Sequence, residues 1–179
     1  MIGSLIFVSG ASGADKTTLI RHALERLPNL VYLKTVTTRP QRPDEANKPE
    51  YEFVTNFQYE KRRLSSRNWD HADYNGFKYG TDVDAIRRQL RSGVNVICSV
   101  MPDLQIIDTM RRRYKTVPLT IWIDAPHEVA MERTQDNLLR LDREEDDAVK
   151  ASFGKIFTPT GDLKKDKAAF VKLLKPLLA

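Results

Sequence analysis

The chain has 179 residues, 41% of them hydrophobic and 30% charged, with a formal net charge of +5. That size and balance fit one soluble domain with its own core. A lone cysteine, Cys98, excludes an internal disulfide, and with only three histidines it leaves no zinc-type cluster. No apolar run is long enough to span a bilayer, and no basic region precedes a signal core at the N-terminus, so a cytoplasmic protein is expected, with no membrane partner. The basic residues are scattered. The short clusters Lys61-Arg62-Arg63 and Arg111-Arg112-Arg113 read as solvated helix surface, and no nucleic-acid partner is expected.

The first element is an apolar strand, Leu5–Ser9, followed by GASGADKT from Gly10 to Thr17. A phosphate-binding loop has glycine, four residues, then Gly-Lys-Ser/Thr. Gly10, Lys16 and Thr17 fit, and Asp15 stands where the last glycine belongs. The next helix, Lys16–Leu27, carries Leu19, Ile20, Ala23, Leu24 and Leu27 on one face. Such a helix start offers backbone N–H groups and a favourable dipole to phosphate. The loop Gly10, Ala11, Ser12, Gly13, Ala14, Asp15, Lys16, Thr17 and Thr18 is therefore the candidate ATP site. Lys16 would reach the terminal phosphates, and Thr17 would join a Mg²⁺ shell. Asp15 opposes this, because its carboxylate repels phosphate.

Further strands are expected at Leu30–Thr35, Glu52–Val54, Asn95–Val100 and Val117–Ile123. Helix patterns cover Phe57–Ser65, Asp82–Arg91, Pro102–Tyr114, His127–Thr134, Arg143–Ser152 and Leu163–Leu178. Thr81-Asp82 signs the start of one helix and Gly93 its end. The alternation predicts an α/β fold, a P-loop NTPase-type parallel sheet flanked by helices. Two inserts interrupt it: a proline- and tyrosine-rich one from Arg39 to about Tyr79, and a highly charged one from about Thr134 to Asp147. In a phosphoryl-transfer enzyme such inserts act as substrate clamp and lid.

The first insert runs TVTTRPQRPDEANKPEYEF from Thr35 to Phe53, then WDHADYNGFKYGT from Trp69 to Thr81. Here the chain resembles the guanylate kinase family. That family carries a Thr-Thr-Arg-x-x-Arg stretch, a Tyr-x-Phe, an acidic residue and a Tyr-Gly-Ser/Thr, and each stands here at the family's spacing. The resemblance covers Ile2 to about Asp124. It implies one domain over 1–179, with a core of 1–35 and 82–179, a GMP-binding insert of 36–81 and a short lid near 134–147. It implies ATP-dependent phosphorylation of GMP to GDP with Mg²⁺, by a monomer or homodimer. It assigns Arg39, Arg42, Tyr51 and Tyr79 to the GMP phosphate, where arginine forks and phenols suit a dianion. It assigns Asp70 to the guanine N1–H and amino group, which adenine lacks. Thr35, Gly80, Thr81 and Ser99 complete the implied GMP pocket.

Departures from the family lie toward the donor. Ser99 and Met101 replace an Asp-x-Asp pair, and Asp70 replaces the usual glutamate. The implied lid arginines are Arg133, Arg140 and Arg143, with Lys150 as a stand-in, and Thr158 or Thr160 is the nearest polar residue to the expected adenine. Lys16, Arg133, Arg140 and Arg143 are the catalytic candidates. Two other readings remain at this level: a catalytically impaired guanylate-kinase-like binding module, and an enzyme like the ribose bisphosphate phosphokinases.

Overall fold

The computed structural model describes residues 2–11, 13–41, 45, 50–100, 112–126, 147 and 149–178. Strand β1 (Leu5–Gly10) is buried along its whole length, as its unbroken apolar run requires. It is the central strand of a five-stranded sheet with β2 (Leu30–Tyr32), β7 (Asn95–Ser99), β8 (Leu119–Ile123) and β9 (Lys155–Phe157). The order is β2-β7-β1-β8-β9, and every pairing is parallel. The chain leaves β1 for a helix, and its neighbours β7 and β8 come from later crossovers. The carboxyl end of β1 therefore lies at a topological switch point, where such sheets bind ligands.

Both faces of this sheet are covered. On one face, α1 (Lys16–Arg26) buries Leu19, Ile20 and Ala23 beside Phe170 and Leu174 of α4 (Leu163–Leu174). On the other, α3 (Val83–Arg91) buries Val83, Ile86 and Leu90 beside Tyr114, Trp122 and Phe153. Each fully buried leucine or isoleucine contributes about 1.5–3 kcal/mol. The Asp82 carboxylate caps α3 by accepting from Asp84 N and Ala85 N, and Gly93 turns out of it at φ 84°. Asp166, 4% exposed, accepts from Thr160 N and Oγ1 and Gly161 N, which clamps the turn between β9 and α4.

The insert forms a second sheet with the order β4-β3-β6-β5. Its strands are β3 (Thr35–Thr37), β4 (Tyr51–Phe53), β5 (Trp69–Tyr74) and β6 (Phe77–Asp82). The single strand expected over Leu30–Thr35 is corrected here. Leu33 and Lys34 break it, so that β2 belongs to the first sheet and β3 to the second. The β5–β6 hairpin and strand β9 were not expected. The helices at Lys16–Leu27, Phe57–Ser65 and Asp82–Arg91 form within one residue of expectation, as α1, α2 (Asn56–Ser65) and α3. The helix expected over Leu163–Leu178 ends in a 3₁₀ turn at Lys175–Leu177. That at Pro102–Tyr114 is described only from 112, and that at Arg143–Ser152 only at 147 and 149–152. The helix expected at His127–Thr134 lies outside the described residues. Among the described residues, no helix is long and apolar enough to cross a membrane.

Candidate active site

The glycine loop sits at the carboxyl end of β1. Gly10 has φ 142°, and a Cβ there would lie 2.5 Å from the Ile123 carbonyl oxygen, so no side chain fits. Gly13 has φ 80°. Asp15 occupies the left-handed region at φ 59° and ψ 19°, the conformation for which the expected glycine is suited. Aspartate and asparagine enter that region more readily than other side chains, so the backbone turn survives the substitution. The Asp15 carboxylate makes no cap to the helix, while its carbonyl accepts from Leu19 N at 3.0 Å and opens α1. Lys16 Nζ donates to Gly10 O at 2.7 Å and Ala11 O at 2.6 Å, which holds its ammonium at the mouth of the loop. Thr17 is exposed and Thr18 half-buried at the start of the same helix.

The second sheet gathers the remaining candidates. Alternation along a strand places every second side chain on one face. The register sets Thr35 beside Tyr51, Thr37 beside Tyr79 and Asp70 beside Thr81. One face therefore carries Thr35, Thr37, Tyr51, Asp70, Tyr79 and Thr81. Arg39 leaves β3 onto that face, with its guanidinium carbon 5.4 Å from the Tyr51 ring centroid and 5.2 Å from that of Phe53. The Tyr51 and Tyr79 rings meet edge-on at 6.1 Å. Burial pushes the Tyr51 phenol above its ordinary value, so it stays a neutral donor. Gly80 is required at the back of the sheet, because a Cβ would lie 2.3 Å from the Trp69 indole nitrogen.

Two short links join this sheet to the first sheet and to α1. Leu33 and Lys34 connect β2 to β3, and Leu33 N donates to Ile97 O at 2.8 Å. Arg21 on α1 also donates to Glu50 Oε1 at 2.9 Å, next to Tyr51. Ser99 ends β7 beside Val8 of β1, and its N–H donates to the Tyr32 hydroxyl at 3.1 Å. Lys150 pairs with Asp124 at 2.7 Å; Asp124 follows Ile123, the register partner of Gly10. Thr158 is exposed, and Thr160 is engaged by Asp166. Ser12, Arg42, Met101, Arg133, Arg140 and Arg143 lie outside the described residues, as does 134–146 of the expected lid.

Two residues of this site were missed in the sequence. Glu45, 7% exposed, takes the Arg39 fork on both carboxylate oxygens. That pairing is the main cause raising the Arg39 guanidinium above its ordinary value. Arg113 donates to Asp70 Oδ1, so a cation stands at the carboxylate expected to read the base. Only proximity to Arg39 could have suggested Glu45. Arg113 lies 43 residues from Asp70, and nothing in the sequence links the two.

Comparison with known proteins agrees with this arrangement. The guanylate kinase family model matches residues 3–158. A guanylate kinase of Rubrobacter xylanophilus is 37% identical over 147 residues, 82% of this chain and 74% of its own length. One from Nostoc sp. is 38% identical over 98 residues, 55% of this chain and 49% of its own. The chain thus spans three quarters of the first relative and about half of the second. A guanylate kinase structure from Anaplasma phagocytophilum superposes with TM-score 0.65 at 20% identity, covering 99% of this chain and 87% of that one. A shikimate kinase from Acinetobacter baumannii shares the fold at TM-score 0.51 and 15% identity, covering 98% and 93%. The parallel sheet with its glycine loop, the separate tyrosine-bearing sheet and a family match across most of its length make this chain a member of the guanylate kinase family.

Proposed function

We infer that the protein transfers the terminal phosphoryl group of ATP to GMP, giving ADP and GDP. The observation that carries this reading is the shared face of Thr35, Tyr51, Asp70, Tyr79 and Thr81 with Arg39, joined through Leu33 and Lys34 to β2 at the edge of the first sheet and through Glu50 and Arg21 to the helix that opens from the glycine loop. In this reading, residues 36–81 form the acceptor-binding insert and about 134–147 the lid. Arg39, Arg42, Tyr51 and Tyr79 bind the GMP phosphate, whose negative charge makes it a nucleophile without a general base. Asp70, Thr35, Thr81 and Ser99 select guanine. The loop amides and the dipole of α1 hold the donor phosphates. A GMP phosphate oxygen forms the new bond to the terminal phosphorus of ATP, the bond to its bridging oxygen breaks, and ADP leaves. Lys16 stabilises charge on the transferred group, and Arg133, Arg140 and Arg143 close over it.

The exposed Thr17 hydroxyl, one residue past Lys16 at the start of α1, suits a Mg²⁺ shell completed by phosphate oxygens and water. Bound there, the ion neutralises charge on the donor phosphates. The reaction would draw on a cytoplasmic nucleotide pool.

An ADP-release assay with ATP and a panel of GMP, AMP, CMP and UMP tests this reading. Turnover confined to GMP supports it, and no turnover with any of the four from folded protein overturns it. Asp15 favours a second reading, a binding module that retains the acceptor face. GMP binding without ATP binding or turnover would identify that module.

A further inference from the structure

The nucleotide-facing side chains occupy one face of the second sheet, and α2 packs on the other. At the centre of that rear face is Tyr59, with 0% of its surface exposed. The helix that carries it is fixed by a capping box, in which Gln58 N donates to Thr55 Oγ1 at 3.2 Å and Thr55 N to Gln58 Oε1 at 2.9 Å. The Tyr59 hydroxyl donates to the Tyr79 carbonyl at 2.8 Å and accepts from Trp69 Nε1 at 3.1 Å. His71 Nδ1 lies 2.8 Å from the same hydroxyl, and His71 Nε2 lies 3.0 Å from Asp73 Oδ2.

Proton counting orders these contacts. A phenol has one proton, and the Tyr79 carbonyl can only accept, so that bond takes the proton. Trp69 Nε1 can only donate, so it takes one lone pair of the phenol oxygen. The Asp73 carboxylate only accepts, so His71 Nε2 carries a proton and orients the ring, and Nδ1 fills the second lone pair of the phenol when the imidazole is doubly protonated. A hydroxyl with every partner satisfied is held in one position, and it holds the Tyr79 peptide in turn. On the opposite face, Tyr79 touches the Tyr51 ring edge-on, and Tyr79 is among the groups that raise the Arg39 guanidinium, after Glu45.

We propose that Tyr59 is a positioning residue for the acceptor phosphate: its hydroxyl pins the Tyr79 peptide from behind and so aims the Tyr79 phenol, and with it Arg39, at GMP. This rests on the assignment of GMP as acceptor. The hydroxyl is not needed to fill space, because phenylalanine would occupy nearly the same volume against the Trp69 ring, whose centroid lies 5.5 Å away. Its contribution is direction.

The test is calorimetric titration of the full chain with GMP, together with steady-state kinetics on ATP and GMP, for the wild type, Tyr59→Phe and Leu64→Gln. Leu64 is an exposed control on the same helix, at 76% exposure. Tyr59→Phe should raise both Kd and KM for GMP by about 3–10-fold, the loss of one net hydrogen bond. Its kcat and KM for ATP should stay near wild type, its melting temperature should fall by a few degrees as Trp69 Nε1 and the Tyr79 carbonyl lose a buried partner, and Leu64→Gln should match wild type throughout. A Kd for GMP unchanged in Tyr59→Phe overturns the proposal while leaving GMP as the acceptor. So does a parallel fall in kcat and ATP affinity alongside that for GMP, which would mark a purely structural role. A wild type that neither binds nor phosphorylates GMP overturns both.

Discussion

Arg39 and Glu45 meet in a two-pronged ion pair, Nη1 to Oε2 at 3.0 Å and Nη2 to Oε1 at 2.8 Å. Both are largely buried, with side-chain exposures of 13% and 9%. The fork is therefore held rigid over the Tyr51 and Phe53 rings, and its remaining donors are left to point elsewhere. Removing the carboxylate leaves a buried cation without its partner. Glu45→Ala should cost about 3 kcal/mol of stability in urea unfolding. It should also raise KM for GMP roughly tenfold or more, as the fork loses its aim.

Asp15 holds the left-handed turn into α1 while placing a carboxylate where donor phosphates are expected. Asp15→Gly keeps the turn and removes the charge. Its KM for ATP should fall by roughly 3–10-fold, with stability changed by no more than about 1 kcal/mol. Steady-state kinetics at varied ATP and a thermal melt check both parts.

Arg113 pairs with Asp70, the carboxylate proposed to read guanine. The side chains are 39% and 18% exposed, so solvent weakens the pair. Arg113→Met should lower KM for GMP by about 2–5-fold and leave that for AMP unchanged. A rise in KM for GMP would instead make Arg113 part of the base pocket.

Acid should loosen the rear face of the insert. Hydrogen bonds from Lys78 and then Arg63 pull the Glu60 carboxyl from its ordinary 4.5 down to about 2. Arg62 likewise lowers that of Glu52. The folded-state value lies below the unfolded one, so this contribution is full above the ordinary carboxylate range. It is lost as pH falls from about 4.5 toward 2. Urea midpoints measured from pH 7 to pH 3 should be flat and then fall, and Lys78→Met should make the fall shallower.

Elements set by local chemistry were legible in the sequence. The apolar runs of β1, β7 and β8, the period of α1 and the Asp82 and Gly93 boundaries of α3 each carry a sufficient signal. The hairpin β5–β6 also had one. Asn75 and Gly76 have φ 50° and 77°, the left-handed pair that an Asn-Gly turn supplies. The split between β2 and β3 had no such mark, because a two-residue link between apolar residues reads like continuous strand. The shared face of Thr35, Tyr51, Asp70, Tyr79 and Thr81 came through family resemblance: β3 and β4 have three residues each, too short for alternation to show, and the six-residue β5 and β6 carry polar side chains on both faces. Glu45, Tyr59 and Arg113 act through partners brought near by the fold, and their side chains alone announce nothing.

The central claim is tested most directly by following the labelled terminal phosphoryl group of ATP in the presence of GMP, with wild type and Lys16→Met compared. Label appearing in GDP with wild type, and reduced at least a hundredfold with Lys16→Met, is the predicted result (about 3 kcal/mol of transition-state stabilisation). GDP that stays unlabelled while the protein is folded and both nucleotides are present would contradict it.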